Sequence, residues 1–393
     1  GIGGGGILVP IYILVLEFPV KHAIPLASTT VLGGAIANNL LNWRKVHPNH
    51  TERPAIDWDL ILQLEPTTIA GALLGADLNK ELPELVLLVL MLLLLTITAQ
   101  KTLTKAFQIY QQEEEEIIIR KQQQQQQPPS QGGEIVANES TSLVASSSSS
   151  KNNTSSSSYD VEKNNEKKLK SDPDNDLIRK QCLMDAFKIT LLFVVVTTLD
   201  LLQGTPDGKG GGPLGLQSCG TTCYWVSEVL VFACILLFSL YVRSSLLYRQ
   251  VNGGPILSEI RWDERNTIVY PLYSIVAGLV AGMFGIGGGI VKGPLMLGLG
   301  VHPAVASATS AAMILFTSCT ATVSYVTFGY LTYDYALFCL GLGFGATLLG
   351  QTSMSVLMKQ TGQRSSYIAF CIGSVVAVSA IAMSLESALA IWG

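Results

Sequence analysis

Long apolar runs constrain this chain more than any other feature. Leu82 to Ala99, Ile189 to Leu202, Val226 to Val242, Leu272 to Leu299, Ala304 to Phe328 and Ile368 to Leu385 are nearly free of charge. A bilayer core of about 30 Å is crossed by about 20 residues of helix. No water inside it can satisfy the backbone, so each run must close its own hydrogen bonds as a helix. Only 14% of the residues are charged, against about 25% in an average soluble protein. The expected fold class is all-α, a polytopic transmembrane helical protein. Most of the charge lies in loops, so the net charge of −4 carries little weight. Nothing points to a nucleic-acid partner.

A glycine cluster occurs twice within this apolar background. It reads Gly1-Ile2-Gly3-Gly4-Gly5-Gly6 and again Gly285-Ile286-Gly287-Gly288-Gly289, with Pro10 and Pro294 at the same distance behind it. Glycine lets the backbone leave helical geometry without a Cβ clash. The next helix then starts with N–H groups that have no intrahelical partner, and such groups bind anions. Unpaired backbone at membrane depth is tolerated only where it lines a cavity or is buried in protein. Close helix packing through small residues is the alternative use of such glycines. The chain opens inside the first cluster without Met, so a preceding half-helix, equivalent to Ile268–Phe284, is expected to be missing from it.

The flanking sequences align as well. Gly1 to Lys45 overlays Gly285 to Gly329 without a gap. Ile56-Asp57-Trp58-Asp59 then overlays Leu331-Thr332-Tyr333-Asp334, and Leu73-Leu74-Gly75 overlays Leu348-Leu349-Gly350. Matches in order across three helices indicate an internal duplication. The expected organisation is a first membrane repeat over 1–106, a Gln/Ser-rich loop over 107–182, two connecting transmembrane helices over 183–250 and a second repeat over 267–393. The loop contains runs of Glu, Gln and Ser that cannot bury enough apolar surface to offset chain entropy, so it is expected to be disordered. If every segment before Ile268 crosses fully, the repeats run parallel. If one segment is re-entrant, they can be inverted.

Lys and Arg concentrate in three loops: after the second helix (Arg44, Lys45, Arg53), in the 107–182 loop, and between Ser244 and Asn266. By the positive-inside rule these loops, and loop 107–182 among them, are expected in the cytosol. The sequons at Asn49, Asn138 and Asn152 are read as accidents of composition. Cys219 and Cys223 are either a disulfide in a luminal loop or two free thiols.

The candidate binding residues follow from the breaks. Backbone N–H groups at Gly3, Gly4, Gly5, Gly6, Gly287, Gly288 and Gly289 are expected to face a shared midplane cavity. The hydroxyl-rich helices behind them offer Ser28 and Thr29 in one half and Ser307, Thr309 and Ser310 in the other, nearest the breaks. Such hydroxyls also serve as glue between membrane helices. Ionisable groups inside spans are costly and mark function. Lys292 either attracts an anion or snorkels to an interface. Glu65 is either a proton carrier for coupled transport or the buried partner of a cation, and its repeat counterpart is Leu340. Asp200, Glu228 and Glu386, near span ends, are read as interfacial. The four histidines lack ligand spacing, no metal site is expected, and no enzyme constellation is present.

These motifs resemble those of the TauE/SafE family of sulfite and organosulfonate exporters, and most closely its plant-like branch. The likeness rests on Gly1–Pro10 with Ile56-Asp57-Trp58-Asp59-Leu60 in the first half. In the second it rests on Gly285–Gly289, Gly293-Pro294-Leu295 and Val305-Ala306-Ser307-Ala308-Thr309-Ser310. In the first half Pro25-Leu26 stands in place of Thr309-Ser310. The resemblance implies a secondary transporter that exports a small sulfur-containing anion, sulfite or a sulfonate, without a cofactor. Another small anion, such as sulfate or a carboxylate, is the alternative substrate. A membrane scaffold or receptor acting through loop 107–182 is the alternative of a different class.

Overall fold

The computed structural model describes residues 4–47, 53–126, 173–203, 221–252, 258, 260, 262–331, 333–360, 374, 377, 378, 380, 381 and 384. These residues form α1 (Gly5–Leu14), α2 (Val20–Asn42), α3 (Trp58–Glu81), α4 (Glu84–Gln126), α5 (Pro173–Gln203), α6 (Thr221–Val251), α7 (Asn266–Phe284), α8 (Gly289–Gly298), α9 (Pro303–Thr327) and α10 (Tyr333–Gln360). The protein is an all-α polytopic membrane protein. Six of the helices are long and apolar enough to span a bilayer: α2, α5, α6, α7, α9 and α10. The 24-residue α3 is more polar, with Asp59, Glu65 and Asp77, and it is accommodated by burial inside the bundle.

Small residues set how the central helices pack. Gly71 and Gly75 on α3 and Gly278 and Gly282 on α7 each have the G-x-x-x-G spacing. A Cβ on Gly71 or Gly75 would run into the carbonyl of Ile275 or Leu279; one on Gly278 or Gly282 would run into that of Thr68 or Ala72. Backbones approach this closely only through glycine, and the gain is van der Waals contact that lipid cannot supply. Two side-chain hydrogen bonds fix the ends: Gln63 Nε2 donates to Thr267 O at 2.8 Å and Asn79 Nδ2 to Met283 O at 2.8 Å. Contacts ascend together along both helices, so α3 and α7 run parallel. The same holds for α2 and α10, where Gly33 meets the Leu340 carbonyl, Gly343 meets the Thr30 carbonyl, and Asn38 hydrogen-bonds Gln351.

Contacts between helix ends define two faces. On one, Trp43 stacks edge-on with Trp58, His47 lies against His302, and Arg249 Nη1 bonds Asp59 Oδ1 at 3.2 Å. On the other, Lys21 Nζ donates to Lys80 O at 3.1 Å, Lys80 lies over the Phe328 ring, and Phe18 meets Tyr335. The first face carries the basic loops and the second carries Lys21 and Lys80, so the Lys/Arg pattern sorted the described loops onto common faces.

Following the chain between the faces resolves the orientation of the repeats. The 10-residue α1 is about 15 Å long and runs from the middle of the bundle to the second face. From there α2 returns to the first face and α3 goes back to the second. In the other half, α7 rises from the first face, breaks at the glycine cluster, and α8 descends to the first face again. Then α9 crosses to the second face and α10 returns. Thus α7 and α8 form a re-entrant hairpin, and the repeats are inverted, each starting at the middle and leaving in opposite directions.

Two further expectations are corrected. Residues 107–126, expected to be disordered, are the end of the 43-residue α4. Glu, Gln and Lys lose little side-chain freedom in a helix, and an i,i+4 contact, Tyr110 Oη to Glu114 Oε1 at 2.9 Å, adds support. At the other end of that segment α5 already starts at Pro173, a residue suited to the first helical position. Asp200, near a span end, is buried and accepts a hydrogen bond from Ser324 Oγ at 3.0 Å. Cys219, Glu386, the three sequons and most of the expected helix Ser366–Leu389 lie outside the described residues.

Candidate functional site

The two glycine clusters meet at the centre of the bundle. A Cβ on Gly5 would collide with Ile286 Cα and Gly285 O, so the two breaks touch backbone to backbone. Each short helix is launched by a glycine in the left-handed region, Gly4 at φ 67° and its repeat mate Gly288 at φ 72°. Most other residues would be strained there. The carbonyl of Gly4 accepts from the N–H groups of Ile7 and Leu8, and that of Gly288 from Val291 and Lys292. The geometry is therefore duplicated bond for bond. The N–H groups of Gly5 and Gly6, and of Gly289 and Ile290, precede the first intrahelical donors. Two helix N-termini, each with a partial positive charge of about half a unit, converge inside the bundle.

A fully buried charge pair sits beside this junction. Lys292, one turn into α8, donates from Nζ to Glu65 Oε2 on α3 at 2.9 Å and to Thr317 Oγ1 on α9 at 2.9 Å. The Thr317 hydroxyl in turn reaches Glu65 Oε1 at 3.0 Å and the Met313 carbonyl at 2.7 Å. It accepts from the ammonium and donates to one of these two oxygens. All three residues are 0% exposed. A Cβ added to Gly288 would stand 3.4 Å from Lys292 Cε, which places the charge pair directly against the glycine break.

Of the two uses weighed for Lys292, snorkelling is ruled out by its complete burial. Glu65 is the buried partner of a cation, and that cation is Lys292. Two lone, opposite charges within spans were the signal for this pairing, since each needs compensation at membrane depth.

The hydroxyl candidates divide. Ser28 lies at the junction: a Cβ on Gly285 would be 3.3 Å from its N, and its hydroxyl bridges towards Ser318 O and Thr322 Oγ1 at 3.4 Å. Thr29 donates to the Pro25 carbonyl of its own helix at 2.9 Å. Ser307 is exposed. Thr309 accepts the Asp57 N–H at 3.0 Å and pins the start of α3 to α9. Ser310 is buried one turn ahead of Ile314. The start of α9 was expected nearest the break, and this is corrected by hairpin geometry. Since α8 runs away from the break and α9 runs back, the start of α9 is beside the end of α8. The break is level with the middle of α9, where Gly287 packs on Ile314 and, across the junction, on Val31. That is the level of Thr317, a hydroxyl further along α9 than the three candidates at its start. Gly3 lies outside the described residues.

The charge pair has no twin. The repeat mates of Lys292, Thr317 and Glu65 are Leu8, Gly33 and Leu340. Of these, Gly33 packs on the Leu340 carbonyl, and Leu8 packs beside Val31, Ala35 and Ile314. One half-site is charged and the other is apolar. Nearby in the apolar half, Tyr12 Oη makes a 2.6 Å hydrogen bond with Thr30 Oγ1 and reaches Cys339 Sγ at 3.5 Å.

Comparison with known proteins places this architecture. The profile of the sulfite exporter TauE/SafE family matches residues 1–137 and 211–383. The chain belongs to this family. Its similarity to plant members runs the length of the chain. Sulfite exporter TauE/SafE family protein 5 of Arabidopsis thaliana is 28% identical over 403 residues, which cover 100% of this chain and 80% of the relative. Family protein 2 of the same plant is 25% identical over 415 residues, 100% of this chain and 80% of the relative. Family protein 3 is 26% identical over 384 residues, 98% and 74% respectively. No solved structure gives a significant match. As a TauE/SafE protein, the chain is an integral membrane transporter of the sulfite exporter kind. Within it, the glycine junction and the Glu65–Lys292–Thr317 cluster are polar features buried inside the bundle.

Proposed function

We propose that this protein is a secondary transporter that exports a small sulfur-containing anion, sulfite or an organosulfonate, through the junction of its two glycine breaks. The observation that carries the reading is the convergence of two helix N-termini beside a buried lysine. Free N–H groups and the positive ends of both helix dipoles favour an anion there, and discontinuous helices of this kind present substrate sites in inverted-repeat transporters. Backbone N–H groups at Gly5, Gly6 and Gly289, with Lys292 and Ser28, form the anion site. Thr309 and Ser307 stand outside it. Alternating access is the rocking of one repeat against the other about this fixed centre. The family names of the plant relatives support sulfite as the substrate.

Efflux of labelled sulfite from proteoliposomes tests this reading. Saturable efflux that excess unlabelled sulfonate inhibits supports it. Efflux of sulfate or a carboxylate alone reassigns the substrate, and absence of any anion flux removes the transport reading. Deleting Gln122–Ser158 tests the scaffold alternative: a cellular function lost with flux intact favours a scaffold acting through that loop.

A further inference from the structure

The buried lysine that would attract an anion is already neutralised. With Lys292 Nζ 2.9 Å from Glu65 Oε2 and both side chains 0% exposed, the cluster is closed and carries no net charge. An incoming anion can take the ammonium only by displacing the carboxylate. A carboxylate left at this depth without its cation is strongly disfavoured, and such groups take up a proton instead. Resting on the transport reading above, we infer that the anion and Glu65 compete for Lys292, so that each anion bound is accompanied by one proton on Glu65. The bookkeeping is simple: the Glu65–Lys292 ion pair plus one anion and one proton becomes a protonated Glu65 and an anion–Lys292 pair. Release on the far side reverses both steps and restores the internal pair. The protein then carries anion and proton together, in the same direction.

The surroundings leave Lys292 as the charged group that faces Glu65 among the described residues. The α7 helix contains no Asp, Glu, Lys, Arg, His or Cys, and α9 contains no charged residue. On α5 and α6, Asp185 and Arg249 are bonded to each other, with Arg249 also on Asp59 of α3. Lys188 is on Asp185, Asp200 is on Ser324, and Arg243 is on Thr267. On α3 itself, Asp77 lies more than three turns further along. Thr317 completes the device, since its hydroxyl keeps the Met313 carbonyl as a partner when Glu65 leaves. The apolar mates Leu8, Gly33 and Leu340 cannot exchange charge in this way. One proton-exchanging site for the whole inverted pair gives a ratio of one proton per anion.

The test is accumulation of labelled sulfite and labelled methanesulfonate in proteoliposomes under an imposed pH gradient at zero membrane potential. Protein-free vesicles supply the baseline for passive entry of neutral sulfur dioxide. Methanesulfonate has no titratable proton near neutral pH, so any proton that moves with it is the protein's. A gradient of one pH unit is expected to drive about tenfold accumulation on the acid-to-alkaline route, the equivalent of one proton per monoanion. Glu65→Gln is expected to lose gradient-driven accumulation. Wild-type flux of either anion that ignores the pH gradient overturns the inference and leaves the transport reading standing. Absence of flux of both anions overturns the two together.

Discussion

Replacing both charges of the buried pair by leucine should restore what replacing either one destroys. Lys292→Leu leaves Glu65 at 0% exposure with a hydroxyl as its remaining partner. Glu65→Leu leaves the Lys292 ammonium in the same position. Removing one partner of a buried pair costs about 3–5 kcal/mol, whereas replacing the pair with well-packed apolar side chains is often neutral or stabilising by about 1–4 kcal/mol. The other repeat carries leucines, Leu8 and Leu340, at the aligned positions. Thr317 would not be orphaned in the double variant, because its hydroxyl is 2.7 Å from the Met313 carbonyl. The assay is reversible chemical unfolding in mixed micelles, followed by tryptophan fluorescence. Each single variant is expected to lose about 3–5 kcal/mol, with the double variant near wild type, a coupling energy of the same size. Additive losses in the double variant, or single variants as stable as wild type, would refute the reasoning.

Three further outcomes are expected. Gly288→Leu puts a branched side chain at φ 72° and 3.4 Å from Lys292 Cε; anion flux measured in proteoliposomes should fall at least about tenfold, given a strain of roughly 1–3 kcal/mol at the site. Gly278→Leu should separate α3 from α7, visible as a lower melting temperature in detergent and loss of monodispersity, whereas Gly293→Ala, with open space around it, should have little effect. Asp57, the cap of α3, has its acid pushed up to about 7, first by burial and then by the charge of Asp59. Its folded value lies above the unfolded one near 3.9, so ionisation penalises the folded state. Stability should therefore fall as pH rises from about 4 to 7, by an amount on the order of 4 kcal/mol, and Asp57→Asn, which retains the cap, should flatten that slope in thermal unfolding at varied pH.

Much of the architecture was legible in residue order. The gap-free overlay of the two glycine clusters anticipated a duplicated geometry, and Gly4 and Gly288 share both conformation and hydrogen-bond pattern. Apolar run length located α9 closely and marked the apolar stretches of α5 and α6, while one run, Leu272 to Leu299, covers parts of both α7 and α8. The orientation of the repeats was not legible, because a helix of 10 residues after a break and the first half of a full span look alike in composition. The choice depended on α8 returning to the face from which α7 came. The same reversal misled the reading of the hydroxyls. Nearness in sequence favoured Ser307 and Thr309, but a hairpin brings together residues that lie far apart in the chain, so Thr317 faces the break. Glu65 and Lys292 were each recognisable as costly, yet their pairing needed the crossing of α3, α8 and α9, which no local pattern encodes.

Transport by the Lys292→Leu/Glu65→Leu double variant bears most directly on the claim that the anion passes this charge pair. Labelled-sulfite efflux from proteoliposomes should be compared with that of wild type at matched, verified folding. Loss of a charged donor worth about 1.5–3 kcal/mol predicts a folded protein whose efflux is reduced at least about tenfold. Wild-type efflux from the folded double variant would contradict it.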